Sequence, residues 1–530
     1  MNFSANTRTT AVLDEGRRHH AAGELAAAET IYRRILEGDP NNATALHLLG
    51  LIAGQTGNRD AAIRLMERAV EAGPSQADVH CDLGNAWFTS GDYAQAEECY
   101  RAALDIDSGH VLAGLNLGTV LRDQGRHEEA VVHLVQLTDC RPNDPRVFNA
   151  LGAALVHAGD GLAAMEYLGH AVDLAPENAD IRNNLGLALH LEGQFDEAIA
   201  AYDHAISLDP QFVQARWNRV VTRMINGDWQ GGLTDWAWRY RDPRIGVRND
   251  LPQPIWDGRQ LDSERILVSA EQGVGDQILL ASLLPLLEAR GGVPVIECDP
   301  RLVDLFTRSF APLEVVAKGT PVDAVWRTSV IDLAQLLPAT PAQYMPRGKY
   351  LKVDAERRAN FRARLEMIGP GPYIGISWRS TSKLSGAAKT VPLEMWEPIL
   401  YGRNATFVNL QYGGSADEAA AASKAFRSVI YTDPHLDRSE DMDGMAAMID
   451  ALDLVITVDN ATAPLAGALE KPCWAMLRRV PMWHWGSEGP RSPLLYSPNL
   501  YRQSLGNRWR AVIAQITSDL DAWEAAKHSR

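Results

Sequence analysis

The chain has 530 residues and a formal net charge of −16; the acidic balance excludes a non-specific polyanion binder, because nucleic-acid affinity rests on clustered Lys and Arg that displace counterions from phosphates. Its length exceeds what one core can organise and calls for about three or four folding units of roughly 150 residues each. The five cysteines, Cys81, Cys99, Cys140, Cys298 and Cys473, show no CxxC spacing and read as reduced core thiols instead of a disulfide or metal framework.

The opening segment, MNFSANTRTT, has no apolar signal core, and no later run reaches the ~18 apolar residues of a membrane span. A soluble, cytoplasmic chain with no integral membrane segment is expected. Glycines then recur every 34 residues at Gly23, Gly57, Gly91, Gly125, Gly159, Gly193 and Gly227. Seven positions before the first six stand Gly16, Gly50, Gly84, Gly118, Gly152 and Gly186, and five positions after them Ala28, Ala62, Ala96, Ala130, Ala164 and Ala198. Most units close at a proline (Pro40, Pro74, Pro142, Pro176, Pro210), with Ser108 in place of one. Small residues where paired helices touch, a glycine for the turn between them and a stop before the next unit define a helical repeat. The stretch from about Thr9 to Phe212 resembles the tetratricopeptide repeats. An array of that kind buries a continuous core only by stacking and offers an extended groove to a protein segment. Asn85, Asn116, Asn149, Asn183 and Asn184, on the first helices of their repeats, are the candidates to grip a partner's backbone through paired amide bonds.

After Pro210 one more helical unit carries Trp217, Trp229, Trp236, Trp238 and Tyr240, large rings suited to covering the last apolar face of the array. The repeat domain with its caps is therefore expected over 1–240, followed by a linker over 241–262 marked by Pro243, Pro252, Pro254 and Gly258. Beyond it the period changes. Short apolar runs at Ile266–Ser269, Val293–Glu297, Tyr373–Ser377, Thr406–Leu410 and Leu454–Val458 alternate with helix-length segments. That alternation predicts α/β architecture with parallel sheets and ligands at the carboxyl ends of the strands. A polar helix near Asp354 to Met367 separates two Rossmann-like halves, 263–368 and 369–530.

The first half opens with a strand followed by Glu271-Gln272-Gly273-Val274-Gly275-Asp276 and an apolar helix. Glycines there let the backbone turn tightly and leave helix N-terminal amides free for a ligand; a plain strand-to-helix turn reads equally well. Without a third glycine or a ribose-binding acid it is not a dinucleotide fingerprint. In the second half one strand ends in Ser377-Trp378-Arg379, followed by a polar loop with Lys383 and Lys389; another ends at Gln411, and a third runs into Asp459-Asn460-Ala461-Thr462. Hydroxyls, amides and cations thus gather where an anionic nucleotide phosphate would need them. Solvent exposure of the lysines and simple helix capping by Asp459 to Thr462 are the competing readings. Asp441-Met442-Asp443 reads as a helix cap, and His484, between Trp483 and Trp485, as structural.

Glu271 to Asp276, Tyr373 to Trp378, Ala451 to Lys471 and Trp483 to Gln503 together resemble the GT-B glycosyltransferase domain that bacteria fuse to tetratricopeptide repeats, akin to heptosyltransferases and O-linked N-acetylglucosamine transferases. The order of the two parts is also similar to that of flagellin glycosyltransferases. The resemblance implies a protein O-glycosyltransferase, inverting and metal-independent, with no cofactor beyond a nucleotide sugar as co-substrate. On the acceptor side, Glu271, Gln272, Gly273 and Gly275 would form the acceptor loop and Asp276 the general base. On the donor side, Asp459, Asn460, Ala461 and Thr462 would face the phosphate, with Ser377, Trp378, Lys383, Lys389 and Gln411 around them. The implied protein partner is flagellin, held by the repeats, and the implied donor a CMP-linked nonulosonic acid such as pseudaminic acid. Asn460 and Pro464 depart from the family's pattern, which keeps open a repeat-based binding scaffold with a degenerate α/β domain.

Overall fold

A computed structural model describes residues 2–73, 75–241, 251–269, 271, 273–288, 290–336, 348–382, 386–495, 498–504 and 509–528. Pro74, Pro243, Gln272 and Lys383 lie outside the described residues. The chain divides into two compact units, Met1–Gln211 and Phe212–Arg530.

The first unit consists of helical hairpins. Its helices are α1 (Asn2–Ala21), α2 (Leu25–Gly38), α3 (Ala43–Gln55), α4 (Arg59–Ala72), α5 (Ala77–Ser90), α6 (Tyr93–Ile106), α7 (Val111–Asp123), α8 (His127–Cys140), α9 (Pro145–Ala158), α10 (Gly161–Leu174), α11 (Ala179–Leu191) and α12 (Phe195–Leu208). The periodic glycines from Gly23 to Gly193 turn each hairpin with φ between 70° and 89°, a left-handed conformation that penalises any Cβ. Side chains at the next residue or so then start the second helix, as where Asn58 Oδ1 accepts from Ala61 N and Asp160 Oδ1 from Ala163 N.

The second glycine series has a different cause. A Cβ on Gly16, Gly84 or Gly186 would fall within 2.6 Å of a ring carbon of Tyr32, Tyr100 or Tyr202, and one on Gly152 would lie 2.3 Å from Leu168 Cγ. Each large residue stands sixteen positions after its glycine and is buried against it, beside the fully buried alanines of the same helix. The 34-residue period is therefore a packing period: one knob and one hole per hairpin.

The second unit begins with α13 (Val213–Ile225) and α14 (Trp229–Trp236). These helices, expected as caps of the repeat domain, fall within the second unit. Trp229 and Trp236 set their rings 5.4 and 6.3 Å from Trp483, and Arg239, just after α14, is buried against Glu271 and Asp332. Large rings cover an apolar face wherever one is exposed, and here that face lies on the following domain. The expected linker is also partly structured: Trp256 N donates to Arg327 O and Arg327 N to Pro254 O, so residues 254–256 extend the edge of the first sheet, with Trp256 and Leu261 buried.

Two parallel sheets follow. The first comprises β1 (Arg265–Ser269), β2 (Val293–Cys298), β3 (Glu314–Ala317) and β4 (Trp326–Ser329) in the order β3-β2-β1-β4. The second comprises β5 (Tyr373–Ser377), β6 (Thr406–Asn409), β7 (Val429–Tyr431), β8 (Leu454–Val458), β9 (Cys473–Leu477) and β10 (Pro498–Arg502) in the order β10-β9-β8-β5-β6-β7. Its central strands are buried along their whole length, which is why they read as continuous apolar runs. Strand order reverses between β1 and β4 in one sheet and between β5 and β8 in the other, and connections leaving in opposite directions open a crevice at those carboxyl ends. The helix Ala355–Ile368, assigned from sequence to the first half, packs with the second: Arg357 pairs with Asp441 and Asp443, and Arg364 with Asp433.

Gly152→Ala tests the knob-and-hole period. The methyl group has to displace Leu168 Cγ from a packed core, so the first unit should lose about 1–3 kcal/mol, read as a lower midpoint in thermal unfolding followed by circular dichroism. An unchanged midpoint would remove the packing explanation.

Candidate functional site

The reversal between β5 and β8 brings together most of the polar residues singled out in the second half. Asn460 ties the two strands across the gap: its Nδ2 donates to Ser377 Oγ at 2.8 Å and to Arg379 O at 3.0 Å, while its Oδ1 accepts from Thr457 Oγ1 and Thr462 N. Gln411 does the same between β5 and β6, its Oε1 accepting from Ser377 Oγ, Trp378 N and Arg379 N at 2.8–3.1 Å. These side chains are almost fully buried, and their hydrogen-bonding capacity is spent on one another. They build the floor of the crevice.

Two expectations change on this evidence of geometry. Asp459 to Thr462 were read as presenting backbone amides to a phosphate, yet Asn460 N donates to Val458 O, Thr462 N to Asn460 Oδ1 and Ala463 N to Asn460 O. The Asn460 side chain folds back on the amide two residues ahead, so capping takes the donors of Asn460, Thr462 and Ala463. Trp378 was read as a donor contact; its ring lies in the core of the second sheet, 1% exposed, with Nε1 donating to Glu418.

Above this floor stands a charged group. Asp459 is 5% exposed and accepts from Trp485 Nε1 at 2.8 Å. Lys389, at the end of the short helix Gly386–Lys389, sets its Nζ 3.0 Å from Asp459 Oδ2 with its own side chain 9% exposed, so it is buried and paired instead of solvated. His484 Nε2 lies 4.0 Å from Asp459 Oδ1. Burial alone would raise the Asp459 carboxyl, but Lys389, His484 and the Trp485 N–H outweigh it and hold the acid below its ordinary range. Burial holds the His484 imidazole below the usual histidine range, against the pull of Asp459 and Asp276, which leaves it neutral near pH 7.

The acceptor-side turn reaches the same place. The helix α15 (Val274–Leu280) starts at Gly273, and a Cβ on Gly275 would stand 3.3 Å from Ala461 Cα and 3.7 Å from Pro464 Cγ. Glycine thus permits α15 to dock on the start of the helix Thr462–Ala468. Asp276, in the first turn of α15, is half-buried and acts electrostatically on His484. Glu271 has another partner, since its oxygens lie 3.0 and 3.2 Å from Arg239 Nε and Nη2.

Sequence reasoning read His484 as structural and left Arg478 and Arg239 out of the site. The Trp-His-Trp run was the available signal, but its link to Asp459 spans 26 residues for Trp485 and no local periodicity reveals it. In the first unit the predicted asparagines pair between neighbouring repeats: Asn116 Nδ2 donates to Asn85 Oδ1 at 2.7 Å and Asn184 Nδ2 to Asn149 Oδ1 at 2.9 Å. Asn183 is buried, its Nδ2 3.4 Å from Asn184 Oδ1.

The fold and site together define a helical-repeat array followed by an α/β unit with a buried charged crevice. Sequence models of the tetratricopeptide repeat match residues 13–77, 47–111, 88–154 and 179–212, and the first unit is a tetratricopeptide-repeat array. Protein FlbA of Caulobacter vibrioides is 29% identical over 488 residues, spanning 87% of this chain and 81% of that protein; a match of that length is longer than either unit and runs through both. Protein O-mannosyl-transferase TMTC1 of Homo sapiens is 27% identical over 141 residues, 27% of this chain and 16% of that protein. Among solved structures, YrrB, described as a TPR protein with an unusual peptide-binding site, is similar with a TM-score of 0.30 and 20% identity, over 35% of this chain and 95% of that one.

Asp459→Asn should destabilise the second unit by about 3–5 kcal/mol, because it leaves a buried lysine without its anion. The sign with pH follows from the lowered carboxyl: the pair contributes fully above about pH 4 and is lost as pH falls through the lower folded value. Denaturant unfolding of the wild type and Asp459→Asn should therefore show a stability difference that shrinks as the solution is acidified below about pH 4. A difference independent of pH would show that Asp459 is not charged in the folded chain.

Proposed function

We propose that this chain is a protein O-glycosyltransferase whose α/β unit is of the GT-B type. It would transfer a sugar from a nucleotide donor to a Ser or Thr hydroxyl of a protein captured by the repeats. The observation that carries the reading is the approach of Asp276, on the first sheet's helix, to the buried Asp459, Lys389 and His484 group at the strand-order reversal of the second sheet. Through the docking of Gly275 on Ala461 and Pro464, this carboxylate comes within electrostatic reach of His484, at a strand-order reversal of the kind where doubly wound sheets bind nucleotides.

The chemistry follows from those positions. Asp276 takes the proton of the incoming hydroxyl as its oxygen attacks the anomeric carbon from the face opposite the leaving group. The bond between that carbon and the phosphate oxygen breaks, and the charge left on the phosphate is met by Lys389, without requiring a divalent ion. Asp459, already bonded to Lys389 and Trp485, fixes the ammonium in place. Asp441, Asp443 and their arginine partners serve a helix start, where Gly444 N donates to Asp441 Oδ1 at 2.7 Å.

Support for the acceptor is of a different kind. Tetratricopeptide repeats supply a protein-binding array, and TMTC1 is by its name a protein O-mannosyl-transferase. Flagellin as acceptor and a CMP-linked nonulosonic acid such as pseudaminic acid as donor come from the resemblance in domain order. The reaction is assigned to the cytoplasm; none of the described helices is long and apolar enough to cross a membrane. One observation favours a second reading, a repeat scaffold with a silent α/β unit: the capped amides after Asp459 are not free to meet a phosphate.

Intact-mass measurement of flagellin co-expressed with this chain, with and without nonulosonic-acid biosynthesis, tests acceptor and donor together; an unchanged mass in both backgrounds rejects that pair. For the base, Asp276→Asn should lower transfer by roughly 100- to 10,000-fold while nucleotide affinity, measured calorimetrically, stays near that of the wild type. Transfer at the wild-type rate would assign the proton to another group.

A further inference from the structure

The polar floor of the second crevice is saturated, so the atoms left over are informative. Arg478 directly follows β9, whose Met476 pairs with Val458 of β8 one residue before Asp459. Its Nε is buried with no hydrogen-bond partner, and Arg478 forms no ion pair within 4.0 Å among the described residues; the charge acting on it is that of Asp459. Asp459, however, is already answered by Lys389 and Trp485. His484, its side chain 6% exposed, likewise has a buried Nδ1 without a partner.

The other arginines near this edge are spent. Arg379 pairs with Glu418 and donates to Gly413 O, Arg438 donates to Gln411 O, and Arg502 donates to the carbonyls of Trp485 and Gly486. A guanidinium N–H drawn out of water with no acceptor is costly unless an anion joins it, and the planar fork of the half-buried Arg478 suits a phosphate or carboxylate. The amides of Asn460, Thr462 and Ala463 are already bonded within the loop, so an anion arriving here finds few backbone donors and is helped by a side chain.

We propose that Arg478, assisted by the unpartnered nitrogen of His484, is the subsite for the anionic group of the donor, either its phosphate or a carboxylate on its sugar. The assignment rests on the nucleotide-sugar reading above and names the contact that replaces the capped amides. Arg478 positions and selects the donor; it has no part in proton transfer.

Calorimetry on the intact chain with CMP, UDP, GDP and ADP, with the matching nucleosides and with CMP-N-acetylneuraminic acid separates the possibilities. Arg478→Met should weaken the bound nucleotide by about tenfold to a hundredfold, leave the phosphate-free nucleoside unaffected and be partly rescued by Arg478→Lys. His484→Gln, which keeps a neutral donor, should cost less. A loss seen already with CMP assigns the phosphate; a loss confined to CMP-N-acetylneuraminic acid assigns the sugar carboxylate. Arg478→Met and Arg478→Lys chains that melt like the wild type and bind every probe equally well would overturn the subsite and leave the nucleotide reading standing. A wild type that binds no nucleotide overturns both.

Discussion

A carboxylate buried at the end of a central strand has to be met by a cation, and this requirement organises the second unit. Transfer of an isolated charge out of water costs several kcal/mol even after relaxation. Asp459 therefore draws Lys389 from the loop after β5, and the indole N–H of Trp485 from the turn after β9, onto one point. Three segments far apart in the chain are fixed by a single charge. The neighbouring Asn460 and Gln411 networks then lock the strands beneath it. Pre-organisation of this kind lets a site stabilise developing charge without rearranging during the reaction.

The first sheet solves the same problem to a different end. At the reversal between β1 and β4, Arg239 lies completely buried between Glu271 and Asp332, donates to Ser329 Oγ at 3.0 Å, and is joined by Tyr240, whose hydroxyl donates to Asp332. Each of these charged groups has its partner within the chain. Two sheets of like topology thus differ in what they leave unpaired. The first leaves no donor of Arg239 idle; the second leaves Arg478 and His484 with nitrogens facing no acceptor. That contrast gives the proposed donor site at the second sheet an electrostatic argument of its own, independent of fold analogy.

Much of this architecture is legible in the residues, and the rest is hidden for identifiable reasons. The repeat period is visible because each hairpin needs the same glycine, alanine and large side chain, so one packing rule is printed six times. β5 and β8 match their apolar runs residue for residue, since strands buried on both faces carry an uninterrupted signal. β3, β4, β7, β9 and β10 escape notice: β3 and β7 are only four and three residues long and unevenly buried, β4 and β10 carry polar residues, and the fully buried β9 follows closely on the small-residue helix Thr462–Ala468 without a long polar break. At the site, residue types were readable and partnerships were not. Ser377, Gln411 and Asn460 do converge, but chain-distant bonds decide that they serve one another. Lys389 looked like a solvent lysine or a phosphate contact; that it is also the counter-ion of Asp459 is visible only in the fold. Arg478 carried no local signal, because its significance lies in a bond it fails to make.

Asn460 and Pro464, the two positions that depart from the resembling family, acquire physical roles that bear on whether the unit works. Asn460 spends both faces of its amide on Ser377, Arg379, Thr457 and Thr462, which stiffens the junction of β5 and β8 at the expense of amides a phosphate would otherwise use. Pro464 stands against Gly275, where its ring fills the surface on which α15 docks, and a proline in the first turn of a helix forfeits no hydrogen bond that the helix needs. The first departure removes anion donors from the loop, and the second preserves the approach of Asp276. A relic would be expected to lose both the cationic partner and the carboxylate opposite it. This chain keeps Lys389 paired with Asp459 and Asp276 within electrostatic reach of His484, and the buried Nε of Arg478 has no acceptor; on the proposed reading, the altered loop goes with a relocated anion contact.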